Sequence, residues 1–472
     1  MVKSKVFDVF KGLTKEELKK FSDYLRSPLF NKRKVILELF NVYKNYYPDF
    51  SDKNLTKEKV FSKICPGKKY NDEILRNLNS ILLKHAEDFL SYVNYSNDSL
   101  TVKKHLLSEI NRRKILKIFE KNFEESRRIL ESSEEKDLNF FYYEYDLFLQ
   151  KDIYNSIIIN FSKDDIVRSE KNLLIFFMIE LLQIQNYILY QCRLLGLDKS
   201  VYLKDTFVDE LLKKMPIEIT QMPQIRIYYN ALKLEQTNHE RYYVNLKLLL
   251  GQYGNMISRE KLYNKYLEMI DYIKRTRPPK DLRTTSELFQ LRKEIIEKDL
   301  LIEKTIKNMF FLNFVKSGLK LKKFEWIYNF INNYKSYLIP KYRDIITDLS
   351  LALFHFEKGE FGKSLSYAAQ IRYEDNFYNL EVKNLTARIY FEMNETELLI
   401  SFVNSYKMYL SKNRSIDSKT NQSHSDFISN ISKLIKIKEL KKFYKLDDLS
   451  NQIDKKDFVN RHWITEKINE LM

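Results

Sequence analysis

Apolar residues along this chain return at intervals of three and four, and the clearest run is Ile74, Leu75, Leu78, Ile81, Leu82, His85, Ala86, Phe89, Leu90 and Val93. That spacing lays the side chains on one stripe, so it predicts a long helix, capped by Asp72, with one buried face. Upstream, Thr14 and Glu17 have the form of a capping box, Leu13 is placed to staple onto Leu18, and Ser27 with Pro28 ends that helix. A second helix is predicted from Asn31 to near Pro48, and a third from Thr56 to Pro66 and Gly67. These four form an N-terminal helical module over residues 1–97.

Residues 98–280 read as long helices separated by short polar breaks at Ser132–Ser133, Ser162–Asp165 and Asn238–His239. Phe140, Phe141, Tyr142, Tyr143, Tyr145 and Phe148 crowd one of them, and aromatic residues on every side of a helix imply burial against more than one neighbour. The most apolar stretch, Asn172 to Leu197, carries Glu180, Gln183, Gln185, Asn186, Gln191 and Arg193 within the length a bilayer requires. It is therefore predicted to be a buried central helix, with no membrane span. Arg275 to Pro279 is the clearest break, and residues 281–472 form the third segment. Within it, Ser411 to Asp426 is polar enough to predict a long exposed loop. Phe427 to Leu446 follows as a basic amphipathic helix with Ile428, Ile431, Leu434, Ile435, Ile437 and Leu440 turned inward, and Asp457 to Leu471, with Phe458, Trp463, Ile464 and Ile468, completes a terminal cap.

Composition narrows the fold class to all-α. Only 8 glycines and 8 prolines occur in 472 residues, so β-hairpin turns and phosphate-cradling loops lack the residues they need. Hydrophobic residues make up 44% and charged residues 31%, and the mean hydropathy is -0.46, values of a soluble globular chain. Cys65 and Cys192 stand far apart in helical contexts, which points to a reducing compartment without disulfides. Lys3, Lys5, Asp8, Lys11 and Lys15 interrupt the first twenty residues, leaving no signal-peptide core, so the expected location is cytoplasmic. The net charge of +17 is carried by lysines spread along the whole chain rather than clustered as a nucleic-acid footprint would be.

One repeat is legible. Leu351, Ala352, Phe354, Phe356, Gly359, Glu360 and Phe361 are answered 35 residues later by Thr386, Ala387, Ile389, Tyr390, Phe391, Asn394, Glu395 and Thr396. A small residue, Ala352 or Ala387, lets two helices approach, and Gly359 or Asn394 can take the left-handed conformation that ends the first helix. Leu365 with Ala368, and Ile400 with Val403, then supply the second helix's buried stripe. A weaker copy is centred on Phe324, Trp326 and Ile327, ahead of Phe330 and Ile331. A period near 34 with this pattern resembles the tetratricopeptide repeat, although Ser364 and Leu399 stand where its second-helix alanine is usual and its terminal proline is missing. The whole chain, with its Ser27 to Asn31 start and Trp463-containing end, is also similar to a bacterial family of helical-repeat proteins without an assigned activity. The resemblance implies a right-handed α-solenoid of antiparallel hairpins, whose concave side commonly holds a peptide or a partner helix.

The chain carries no glycine-rich nucleotide motif, no Walker loop and no nucleophile elbow. His85, His105, His239, His355, His424 and His462 are scattered singly, without the i, i+4 pairing of a helical zinc site, and His355 falls on a packing position of the repeat. The adjacent pairs Glu124–Glu125, Glu134–Glu135, Asp164–Asp165 and Asp447–Asp448 diverge by about 100° on a helix and do not converge on one atom. The expectation is a non-enzymatic protein-interaction scaffold without cofactor or metal, binding a protein or peptide. The competing expectation is nucleic-acid binding, either on basic faces or by a helix-turn-helix-like reading of residues 56–93 with Arg76, Asn77 and Asn79 as contacts.

Overall fold

A computed structural model describes residues 4–50, 55–198, 207–278, 281–301, 304–371, 376–454 and 456–472. The protein is all-α: the described residues contain no strand, only an isolated bridge between Ile306 and Leu338. The chain divides into two compact units, Met1–Leu182 with Leu211–Ile225, and Gln183–Glu210 with Arg226–Met472. The break expected at 97 falls between a helix that ends at Asn97 and one that starts at Ser99, and the break at 279–280 lies outside the described residues.

The first unit opens with α1 (Val6–Gly12), α2 (Lys15–Arg26), α3 (Lys34–Lys44), α4 (Lys57–Ile64) and α5 (Asp72–Asn97). The capping box forms as expected, with Thr14 Oγ1 accepting from Glu17 N at 3.1 Å and Thr14 N donating to Glu17 at 2.7 Å. Leu75, Leu78, Leu82, Ala86 and Phe89 bury one stripe of α5 against Phe10, Phe21 and Phe40. Its cap differs from the expectation. Asn71, not Asp72, accepts from Glu73 N and Ile74 N, while Asp72 is held by Lys57 at 2.8 Å and Arg76 at 3.0 Å. Asp98 then caps α6 (Ser99–Arg113), which packs with α7 (Phe119–Glu131) and α8 (Leu138–Ile157). Of the aromatic run in α8, Phe141 and Phe148 are buried and the others half-buried.

Next come α9 (Lys163–Leu195), α10 (Phe207–Lys214), α11 (Ile217–Thr220) and α12 (Pro223–Thr237); α9, α10 and α12 each contribute residues to both units. The expectation of a buried central helix is corrected at α9. Ile175, Met178, Ile179, Leu182 and Leu189 are buried, but Leu173, Phe177, Ile184, Tyr187 and Leu194 are exposed. An apolar composition reports burial only when neighbours cover every side. By length and composition α9 alone among the described helices could cross a membrane.

The second unit continues through α13 (Glu240–Tyr253), α14 (Arg259–Thr276), α15 (Leu282–Glu297), α16 (Asn308–Lys320), α17 (Phe324–Tyr334), α18 (Arg343–Glu357), α19 (Phe361–Gln370), α20 (Asn376–Glu392), α21 (Thr396–Lys412), α22 (Ser418–Glu439), α23 (Leu446–Asp454) and α24 (Arg461–Leu471). Arg193, Glu235, Arg275 and Asp271 close a ring of ion pairs of 2.6–3.2 Å that ties α9, α12 and α14. Tyrosine hydroxyls donate to carboxylates between successive helices, Tyr272 to Glu240 at 2.7 Å and Tyr266 to Glu294 at 2.8 Å. Burial, then the bond to the carboxylate, raises both tyrosines above their ordinary range.

Three hairpins are closed in the same way. Lys322, Gly359 and Asn394 take φ of 56°, 75° and 58°, and the next amide reaches back to Gly318 O, His355 O or Tyr390 O at 2.9–3.0 Å. These bonds occupy carbonyls that a helix end otherwise leaves unpaired. The predicted loop at 411–426 is also corrected. Helix α21 runs to Lys412 and α22 starts at Ser418, because Asp417 caps it, Asn421 donates to Leu410 O at 2.8 Å, and His424 is buried against Tyr406. Polar residues enter this core because each finds a partner. In α21 the buried stripe is Leu399, Val403, Tyr406 and Leu410, with Ile400 exposed.

Gly318 marks the closest approach of α16 to its neighbours. A Cβ there would meet Ile327 Cδ1 at 2.3 Å and Phe289 Cε2 at 2.9 Å. Gly318→Ala is therefore expected to cost about 1–3 kcal/mol, read as a lower urea midpoint. Lys114→Gly carries the opposite sign. Lys114 is exposed, at φ 57°, and removing its Cβ is expected to stabilise by about 0.5–1 kcal/mol, the left-handed strain less the entropy of glycine. An unchanged midpoint in either variant contradicts the account of these turns.

Candidate functional site

The second unit contains a groove of about 610 Å³, within the range of roughly 300–1,000 Å³ usual for ligand sites. Its sides are the C-terminal halves of α16 and α18, the inner face of α20 and the first turns of α24. Helical spacing places the charged residues there: Glu381, Arg388 and Glu392 recur along α20 at intervals of seven and four, which is one face.

Most of these charges are already paired. Lys316 meets Glu381 at 2.7 Å, and Lys467 meets Glu392 at 2.9 Å and Glu470 at 2.8 Å. Trp463 Nε1 donates to Glu392 Oε1 at 2.8 Å, which fixes α24 on α20. Burial pushes the Glu381 carboxyl upward, but Lys316 outweighs it and holds the group below its ordinary value.

Arg388 is the exception. Its guanidinium lies 4.6 Å over the Phe356 ring, its Nε is enclosed without a hydrogen-bond partner, and no carboxylate among the described residues is within ion-pair distance. Burial lowers its pKa, with Glu357, Glu381 and Glu392 opposing from farther away; an arginine stays charged through such a shift. Beside it, burial pushes the Glu357 carboxyl up toward its protonated form, against the pull of Arg388. The groove thus combines a guanidinium without an ion-pair partner among the described residues, the Glu357 carboxyl, and the rings of Phe356 and Trp463. That set recognises a carboxylate next to an apolar group. Its lining contains no serine, threonine or cysteine, and among the described residues no three potential metal ligands gather.

The repeat positions frame this groove rather than fill it. Ala352 and Ala387 are fully buried, and Ser364 donates to Ala352 O at 2.7 Å, a bond that explains a serine where the repeat usually has alanine. Gly359 and half-buried Phe361 form the groove's rim. Tyr390 and Asn394 border a separate cleft of about 240 Å³ with Ile435 and Lys438. His355 bonds Glu360 at 2.7 Å and stacks on Tyr367. In the first unit, Asn79 accepts from Tyr43 at 2.9 Å and donates to Leu75 O at 2.8 Å. Arg76 is paired with Asp72, and Asn77 is exposed. Arg388, Glu357 and Glu392 were not singled out from the sequence. The available signal was an arginine flanked in sequence by the apolar Ala387 and Ile389.

No family model, curated protein or solved structure matches the chain.

Behind the groove, Tyr406 donates to Asn384 at 3.0 Å and lies 2.9 Å from His424 Nδ1. Burial lowers the His424 pKa below its ordinary 6.5, although Glu381 acts in the opposite direction. The unfolded chain thus binds the proton more readily, so stability falls as pH drops through about 6.5 toward the depressed native value and is level above it. The difference in unfolding free energy between the native protein and His424→Gln is expected to shrink over that window. A difference independent of pH between 5 and 7.5, approximately the range where histidine titrates, contradicts the neutral buried ring.

Proposed function

We propose that this chain is a non-enzymatic, cytoplasmic interaction scaffold whose third segment is a tetratricopeptide-like array, stacked as a right-handed solenoid, and whose groove takes a carboxylate-bearing segment of a partner protein. The observation that carries the reading is Arg388, a half-buried guanidinium over Phe356 whose Nε is enclosed without a hydrogen-bond partner and which makes no ion pair among the described residues. Isolated buried charge is costly and is retained where a partner compensates it. The hairpin turns at Lys322, Gly359 and Asn394, 37 and 35 residues apart, support the repeat reading, since a tetratricopeptide unit is about 34 residues long. Aromatic rings beside the charge supply the anchor area that hot spots use, and the surrounding lysines speed encounter.

Nucleic-acid binding is the competing reading. It is weakened by the engagement of Arg76 with Asp72 and of Asn79 inside its own module. It also requires affinity to fall steeply with salt as phosphate counterions are released.

The test is capture of partners from the host lysate by the tagged full chain, with and without nuclease, in parallel with Arg388→Met. A stoichiometric protein is expected to persist through nuclease and to bind the variant at least about thirtyfold more weakly, as truncating one side of a buried charge pair does. The variant is expected to be as stable as the parent or more so, because it removes an uncompensated charge. Retention by Arg388→Met, or loss after nuclease alone, refutes the reading.

A further inference from the structure

The link between α22 and α23 leaves seven consecutive residues exposed, Glu439 through Lys445. Three are apolar or aromatic: Leu440 is 59% exposed, Phe443 43% and Tyr444 71%. The periodicity of α22 assigned Leu440 to the inner face, but the helix ends at Glu439 and the left-handed Lys441, at φ 51°, turns the chain before that face continues. The buried stripe closes at Ile437, and Leu446 restarts the core. The exposed side chains therefore lie between two anchored points.

Their surroundings are strongly basic. Lys433, Lys436, Lys438, Lys441, Lys442 and Lys445 fall within thirteen residues against one acid, Glu439; Asp447 and Asp448 follow in the first turn of α23. Lys433 bonds Gln452 at 3.0 Å and Lys438 bonds Asn394. Lys436, Lys441, Lys442 and Lys445 make no ion pair among the described residues. None of Leu440, Phe443 or Tyr444 lines the groove or the cleft beside Tyr390.

We propose that this tip is a peripheral docking site for an anionic phospholipid surface. The lysines would meet the headgroups while Leu440, Phe443 and Tyr444 enter the boundary with the acyl chains. Lysines flanking an apolar face are the composition of interfacial binders, a tyrosine ring suits the headgroup level, and each lysine near an anionic surface strengthens binding about fivefold. A peptide partner requires a recess, and these residues line neither the groove nor the cleft. A single-stranded nucleic acid uses aromatic faces for stacking, a use that leaves the protruding aliphatic Leu440 unexplained. The site is independent of the groove, so either reading can fail without the other.

The test is sedimentation of the full chain with vesicles of phosphatidylcholine alone or doped with phosphatidylserine. Binding is expected only with phosphatidylserine. Lys441→Glu/Lys442→Glu/Lys445→Glu is expected to weaken it at least about a hundredfold, and Leu440→Ser/Phe443→Ser/Tyr444→Ser at least about tenfold. Circular dichroism should show both variants as helical as the parent, since the altered side chains are exposed. Sedimentation with phosphatidylcholine alone to the same extent overturns the proposal. So does unchanged binding in either variant, and so does tip-dependent binding of a single-stranded oligonucleotide without vesicle binding.

Discussion

Every helix that reverses direction must satisfy its last carbonyls, and in this protein that is repeatedly accomplished by one residue in the left-handed region followed by a backbone bond from the next amide. The bond recurs after Lys114, Gly196, Asp299, Lys322, Gly359, Asn394 and Lys441, at 2.8–3.1 Å. Glycine stands at only two of these ends, Gly196 and Gly359, and among the described residues ten non-glycine residues take positive φ. Each such residue costs roughly 1–2 kcal/mol, which the packing of the two helices it joins must exceed. The turns hold the helices antiparallel, and that arrangement brings α16, α18 and α20 side by side as the walls of the groove.

Between those turns, the packing relies on a residue type that is both apolar and polar. Tyrosine buries a ring and still carries a hydroxyl that needs a partner. Here the partner is repeatedly a carboxylate on another helix, as in Tyr266 with Glu294, Tyr272 with Glu240 and Tyr229 with Asp209. The bonds orient neighbouring helices in a way that aliphatic contacts do not, because a hydrogen bond weakens steeply with angle. His424, Tyr406 and Asn384 do the same inside the α20 to α22 packing.

Electrostatics then separates what is structural from what is open. Glu381 and Glu392 each hold a lysine, and Trp463 adds a bond that seats α24. Arg388, on the same face, holds none of them. Its aromatic floor compensates only part of the desolvation, since a cation over a ring gains about 0.5–2 kcal/mol while an enclosed charge costs several. Among the charges on this face, Arg388 is the one without an ion pair among the described residues, and it is the charge on which the proposed binding of a carboxylate rests.

The sequence alone determined that this protein is helical, that helices start after Thr14 and Thr56, and which residues could close the hairpins at Gly359 and Asn394. These depend on period, capping chemistry and the tolerance of glycine and asparagine for positive φ, all local properties. It misplaced whatever depended on neighbours. Half of the apolar face of α9 is uncovered, the polar stretch after Ser411 becomes helix because Leu410 O and Tyr406 receive it, and Leu440 lies outside the core that its spacing implied. The approach at Gly318 and the isolation of Arg388 were equally invisible, because both depend on residues of other helices: Ile327 and Phe289 for the first, and Phe356 and Glu357 for the second. Periodicity states which face of a helix is apolar, whereas only the tertiary structure decides what stands opposite it and which charges remain without a partner.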